Sequence, residues 1–422
     1  MFLILLLTTI VNGDSSGTFN INGFTGNSGT ISVNVLTGSS IFYWQFTALN
    51  GNIASDTRPL VIWTGGGPGC SSSLGYLMGG IAPVQINATG NFNNNPASWN
   101  TKVHLLAIDF PYDAGYSYSS QSSDIKNTTS DVVAYLYQFL QDLSNDYPTW
   151  FQRDIYWFGE DYSGHFIPAI ASLILQNNQN PKNNFIPLKG ISIGGPWLDG
   201  LYQTQYYDIS AYNLGIINGI QKSTLQQNEY SILAMIEAGN YTDAFNLWRY
   251  TYGQFEFMTG NLSVFNVRTT NTLNITGITE YMNNANVKSK VTNVPSGTKW
   301  TACNQNIYDG FGNDYMQGFV TTMMPSLLSQ IKVMLVHGID DLYTNSLGIN
   351  QWIGALNWKY TSNFLQSRRS VWNVQGNPTG YVQTYSNLTY VQISAASHSV
   401  GIEQPYAFRD SAFRFIFNQG WN

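Results

Sequence analysis

One turn in this chain is built for a nucleophile and carries an aspartate. In Trp157-Phe158-Gly159-Glu160-Asp161-Tyr162-Ser163-Gly164 a β-rich run leads into Gly-x-Asp-x-Ser-Gly, and an apolar helical pattern follows from Phe166 to Leu175. Strand, tight small-residue turn and helix make a nucleophile elbow, where Gly-x-Ser-x-Gly lifts a serine hydroxyl clear of the backbone. Asp161 stands in the serine's place. A carboxylate there can attack carbon covalently, or pair with a protonated base and do no chemistry.

Acyl transfer also needs a base, an acid that orients it and donors for an oxyanion. The chain has four histidines, and His398 lies after a strand pattern (ending at Ile393) and before a last helical one over Tyr406–Asn418. Asp341 follows the preceding core-strand pattern in His337-Gly338-Ile339-Asp340-Asp341-Leu342. The order Asp161, Asp341, His398 is nucleophile, acid, histidine. Trp63-Thr64-Gly65-Gly66-Gly67-Pro68-Gly69-Cys70 follows another strand pattern, with glycines that let backbone N–H groups approach a ligand. Gly67 and Tyr162 are the expected oxyanion donors. His165 and His337 each flank a motif and are read as structural. No His, Cys and Glu spacing suits a metal, and no cofactor is expected.

These residues need a scaffold that brings strand ends together. Near-continuous apolar runs at 59–63, 103–108, 155–158, 190–193 and 333–336 read as strands buried on both faces. Helical patterns at Ser130–Leu143 and Phe166–Gln176 separate several of them. This alternation predicts an α/β fold with a mostly parallel central sheet and helices on both faces. Residues 29–36 and 40–48 alternate like a hairpin. From Leu201 to Ser326 the chain turns rich in Tyr, Asn and Gln, helical over Ser223–Trp248 and then irregular, before strand pattern returns at Lys332. The expected organisation is a signal peptide at 1–13, a core in two parts at 14–200 and 327–422, and a helical cap inserted at 201–326.

Composition narrows the setting. Of 422 residues 10% are charged, the net charge is −6, and no Lys/Arg cluster occurs, which argues against nucleic acid or an anionic membrane as partner. Met1–Gly13 is a short apolar run ending in small residues, read as a secretory signal, with an N-terminal core strand as the alternative. Sequons at Asn87, Asn127, Asn240, Asn261, Asn274 and Asn387 point the same way. No later apolar run reaches the ~20 residues of a membrane span. The expected address is the secretory pathway, extracellular or lysosomal. Cys70 and Cys303 are the two cysteines. One disulfide is the obvious pairing in an oxidising compartment, and two buried thiols are the alternative.

These motifs resemble those of the serine carboxypeptidase family. GGGPGCSSS at 65–73 is close to its Asn-Gly-Gly-Pro-Gly-Cys-Ser-Ser block, and GEDYSGHFIPAIA at 159–171 is similar to its Gly-Glu-Ser-Tyr-Ala-Gly-His elbow. IDFPYDAGYSYS at 108–119 and LKGISIGGPWLDG at 188–200 resemble two further blocks, in uninterrupted order from about Phe24 to Phe417. The resemblance implies an α/β-hydrolase fold with a helical cap, a Cys70–Cys303 bridge, and release of C-terminal residues from peptides. It also implies a substrate-carboxylate site around Gly65, Gly66 and Glu160. Departures gather there: Asp161 replaces the serine, Gly65 an asparagine, and Gly79 and Gly80 lie where a glutamate would share a proton with Glu160. The first expectation is a peptidase-inactive member. Alternatives are an Asp161-His398-Asp341 hydrolase of the epoxide or haloalkane type, a residual serine-type carboxypeptidase using Ser163, and a binding or scaffold protein. The ligand, if any, is a peptide or small molecule in the cap cleft.

Overall fold

A computed structural model describes residues 15–34, 36–87, 90–271, 273–294 and 297–421, so the expected signal segment lies outside the described residues. In chain order the first strands are β1 (Ser15–Ile21), β2 (Phe24–Asn34), β3 (Ser39–Phe46), β4 (Leu60–Thr64), β5 (Val84–Ile86), β6 (Phe92–Asn94) and β7 (His104–Ile108). Then come β8 (Ile155–Glu160), β9 (Leu188–Gly194), β10 (Lys332–Gly338), β11 (Ser370–Val374), β12 (Asn377–Tyr385) and β13 (Leu388–Ile393). Eleven form one sheet in the order β1-β2-β3-β7-β4-β8-β9-β10-β13-β12-β11, while β5 and β6 pair apart. The six central strands, β7-β4-β8-β9-β10-β13, are all mutually parallel. Antiparallel strands extend the sheet at both ends.

The apolar runs follow from burial on two faces. Along β8, Ile155 and Trp157 enter one core while Tyr156 and Phe158 enter the other. Along β10, Val333 and Leu335 alternate with Met334 and Val336 in the same way. Helices α2 (Thr129–Asp146) and α3 (Ser163–Asn177) supply Leu136, Phe139, Ile167 and Ile170 to the first core. Helix α1 (Ser72–Met78) and the C-terminal helix Pro405–Phe417 supply Tyr76, Leu77, Phe408 and Phe413 to the second. Each large apolar side chain so buried contributes about 1.5–3 kcal/mol. The start of α2 is fixed locally, since the Thr128 side chain accepts from the Asp131 N–H and satisfies an orphan donor.

Between β9 and β10 the chain is largely helical. The single helical pattern read over Ser223–Trp248 is two helices, Gly219–Glu237 and Tyr241–Met258, because Gly239 turns the chain with φ 75°. The helix Phe319–Gln330 runs through Ser326 and packs on α3. Cys70 and Cys303 are disulfide-bonded, tying the loop after β4 to this inserted stretch. Closing a loop across 233 positions stabilises the fold by about 5 kcal/mol through the unfolded chain. Asn87, Asn127, Asn240, Asn261 and Asn274 are exposed, whereas Asn387 is half-buried and its side-chain amide donates to Leu328 O at 3.0 Å.

Candidate functional site

The predicted residues meet at the C-terminal edge of the parallel strands, where open α/β sheets place ligands. Asp161 follows β8 directly with φ 56°, a left-handed conformation that costs a non-glycine residue about 1–2 kcal/mol. Three backbone bonds hold it there: its N–H donates to Gly194 O at 2.9 Å, and its carbonyl accepts from Gly164 N at 2.9 Å and Trp197 N at 3.0 Å. The glycines of the motif are steric requirements. A Cβ on Gly159 would lie 2.6 Å from Thr64 O, and one on Gly164 would collide with Trp197 O. Asp161 is thus forced to the tip of the turn.

His398 enters after β13 and Asp341 after β10. The His398 Nδ1 lies 2.9 Å from Asp341 Oδ2, and its Nε2 lies 3.6 Å from Asp161 Oδ1. Asp341 is buried and also accepts from Thr344 N at 3.1 Å and Thr344 Oγ1 at 2.5 Å. Burial alone would raise its pKa, but the His398 charge and hydrogen bond, with His337 and Thr344, hold it below the usual carboxylate value. Burial also opposes charging His398, yet Asp341, Asp161 and Glu160 outweigh it and push the imidazole up to about 9. Phe265 and Tyr343 flank the ring, with centroids 5.3 Å away in each case.

The oxyanion donors expected at Gly67 and Tyr162 both serve Asp161. Gly67 N donates to Asp161 Oδ2 at 2.6 Å, and the Tyr162 N–H also favours that carboxylate. Burial pushes the Asp161 pKa up, and His398 and these two donors pull against it. Its other oxygen, Oδ1, is buried without a hydrogen-bond partner. Gly67 adopts φ 108°, a conformation open to glycine, and a Cβ on Gly66 would lie 2.6 Å from Glu160 O and from Asp161 Cβ. Ser71 fastens the loop from below by donating to buried Asp109 at 2.6 Å while accepting from Trp300 Nε1 at 3.1 Å.

Asp161, the His398 imidazole and the glycine loop therefore line one pocket, with Asp341 buried behind the imidazole. The sequence model of the serine carboxypeptidase family matches residues 17–418. The chain belongs to the serine carboxypeptidase family. Serine carboxypeptidase S10 family member 1 of Dictyostelium discoideum is 29% identical over 426 residues, with 99% of both chains covered. Serine carboxypeptidase-like 50 of Arabidopsis thaliana is 28% identical over 418 residues, covering 99% of this chain and 93% of that protein. Among solved structures, the Saccharomyces cerevisiae prohormone-processing carboxypeptidase Kex1(delta)p aligns with a TM-score of 0.79 at 24% identity, covering 90% of this chain and 87% of that one. That likeness shows the α/β-hydrolase fold.

Within this family member the pocket is a cavity of about 630 Å³. Gly66, Gly67, Glu160, Asp161 and His398 line it from the sheet side, and Arg249, Tyr252, Phe265 and Tyr308 from the inserted stretch. Gly65 lies beneath this lining: its N–H donates to Ser72 Oγ at 2.8 Å, and its carbonyl accepts from Ser163 Oγ at 2.5 Å. Ser163 is itself fully buried, with its hydroxyl turned from the cavity toward Thr64 and Gly65. Gly79 and Gly80 are outside the lining as well. Gly80 has φ 70°, and a Cβ there would press on Pro405 at 2.7 Å. His165 and His337 are buried; they lie 3.9 Å from Asp314 and 3.7 Å from Asp341 respectively.

Sequence reasoning missed Asp314. Its carboxylate accepts from Tyr162 OH at 2.7 Å, Thr129 Oγ1 at 2.6 Å and Thr129 N at 3.1 Å, bracing the residue beside the elbow tip. It also missed Tyr343, whose ring stands against His398. A single sequence held no signal for either, since neither belongs to a spaced motif. Among the described residues no cluster of His, Cys, Asp and Glu is arranged to hold a metal.

Proposed function

We propose that this serine carboxypeptidase family member binds a ligand in its cleft and does not cleave peptides. The observation that supports this reading is the 2.6 Å bond from Gly67 N to Asp161 Oδ2. A peptide carbonyl oxygen would have to occupy that donor as it gains negative charge, and a fixed carboxylate is already there. Losing one oxyanion donor costs about 10²–10³ in rate, and here the nucleophilic hydroxyl is absent too. Attack of the carboxylate on an amide would give a mixed anhydride while expelling an amine, a steeply uphill exchange. Ser163 offers no substitute, because its hydroxyl is committed to backbone oxygens away from the cavity. His398 and Asp341 then act as the counter-charge that holds Asp161 in place.

A fluorophosphonate probe tests this. The wild-type protein is expected to stay unlabelled, while Asp161→Ser frees the donor, restores a hydroxyl and becomes labelled. Labelling of the wild type at Ser163 would overturn the reading in favour of a residual serine-type carboxypeptidase.

A second reading draws on the division of labour between the two carboxylate oxygens. With Oδ2 on Gly67 and Oδ1 unbonded, Asp161 could attack an alkyl carbon through Oδ1, and water activated by His398 would then hydrolyse the ester. Intact-mass detection of an alkyl adduct on Asp161, after exposure to epoxides or haloalkanes, would support it.

For the address we favour the secretory pathway, extracellular or lysosomal. The apolar Met1–Gly13 run, the Cys70–Cys303 bridge and the exposed sequons support it. Among the described residues no helix is long and apolar enough to cross a membrane. A mass shift on glycosidase treatment of protein from a eukaryotic host would test this assignment.

A further inference from the structure

Charge pairing around the cavity leaves one group over. Asp161 faces His398 at 3.6 Å, and Arg249 holds Asp309 at 2.8 Å. Glu403 holds Arg268 at 3.0 Å and accepts from Ser397 N at 2.6 Å. Glu160 also lines the cavity, and among the described residues its carboxylate has neither an ion pair nor a hydrogen bond. It ends β8 beside Asp161 and lies over Gly75 of α1, close enough that a Cβ on Gly75 would strike its Oε1. Glu160 is half-buried, and a carboxylate in a cavity wall with no cation in contact is stabilised when a ligand cation supplies one.

The rest of the lining suits the body of such a cation. Tyr252, Phe265, Tyr308 and Tyr343 stand around the same space. Aromatic faces attract ammonium groups and cover apolar chains. Above about pH 7, where Glu160 is ionised, a ligand carboxylate meets the opposite: Glu160 and Asp161 repel it, while Arg249 and His398 are already committed to their own partners.

We propose that this cavity takes a hydrophobic amine, its ammonium group on the Glu160 carboxylate and its apolar body against Tyr308, Tyr343 and Phe265. The proposal rests on the reading that Asp161 holds the oxyanion donor and the cleft binds without cleaving. Burial, reinforced by the Asp161 charge and only partly offset by protonated His398, lifts Glu160 to about 7.

Calorimetric titration of the intact protein with phenethylamine, N-acetylphenethylamine and phenylpropionate, at mildly alkaline pH, tests the proposal. Phenethylamine should bind at least about tenfold more tightly than either analogue. Glu160→Gln should weaken the amine about tenfold and leave the acetylated analogue unchanged. Gly75→Ala keeps the charge but pushes the carboxyl aside, and should weaken the amine as well. The proposal falls if phenylpropionate binds as well as the amine, if Glu160→Gln has no effect on the amine, or if none of the three binds. Peptide cleavage is followed in the same preparation. Release of C-terminal residues would sink the parent reading, whereas carboxylate preference without release would sink the amine proposal alone.

Discussion

Replacing Asp161 by asparagine keeps the shape of the side chain and removes its charge, and His398 should report the loss. The imidazole sits between Asp341 at 2.9 Å and Asp161 at 3.6 Å, and these carboxylates outweigh burial to push it up to about 9. A unit charge at 3.6 Å interacts by about 5 kcal/mol at an effective dielectric of about 20. Relaxation and water in the open cavity leave part of that, so a fall of about one to two pKa units, about 1.4–3 kcal/mol, is expected. The assay is a titration of labelled histidine Cε1–H resonances. Burial lowers His104 and His337 while His398 is raised, and the His398 resonance is assigned by its loss in His398→Gln. The reasoning is refuted if the Asp161→Asn resonance titrates where the wild type does, or if the wild-type His398 titrates near its ordinary value of about 6.5. Stability follows with a definite sign. A histidine raised above its unfolded value stabilises fully below about pH 6.5, and that contribution, about 3 kcal/mol, is lost as pH rises through about 9. Denaturation midpoints should fall across this window in the wild type and over a narrower one in Asp161→Asn.

Three further variants test the scaffold. Gly66→Ala puts a methyl 2.6 Å from the Glu160 carbonyl, which cannot yield easily, and should cost about 1–3 kcal/mol in chemical denaturation. Asp314→Ala strips buried Tyr162 and Thr129 of their acceptor and should cost about 2–4 kcal/mol, seen as a lower thermal midpoint. Cys303→Ala paired with Cys70→Ala opens the long loop and should cost roughly 2–5 kcal/mol, matched by adding reductant to the wild type.

The elbow was legible because its chemistry is local: a strand, two glycines that no side chain can replace, and a helix. The parallel strands were legible because burial on both faces leaves continuous apolar runs, and β4, β7, β8, β9 and β10 fall on the runs read from the sequence. β1 escaped notice because Ser15–Ile21, with Gly17 and small polar residues, has little apolar content to mark it. The break at Gly239 was missed because one glycine inside a helical pattern is often tolerated. At the site, the chain order gave Asp161, Asp341 and His398, but no sequence rule could say where each carboxylate oxygen points. The vacancy expected at Gly65 and Gly80 has a different physical meaning in three dimensions. Gly65 lies under the loop, and the left-handed backbone of Gly80 faces Pro405, so neither position opens onto the cavity.

Hydrolysis of a blocked dipeptide by the unmodified protein at mildly acid pH tests the central claim most directly, run beside an active serine carboxypeptidase with product quantified by mass spectrometry. With Asp161 filling the oxyanion donor, kcat/KM should lie at least about 10⁴-fold below the active enzyme. A value within about tenfold of that enzyme, with the Asp161 protein shown to be free of contaminating peptidase, would contradict it.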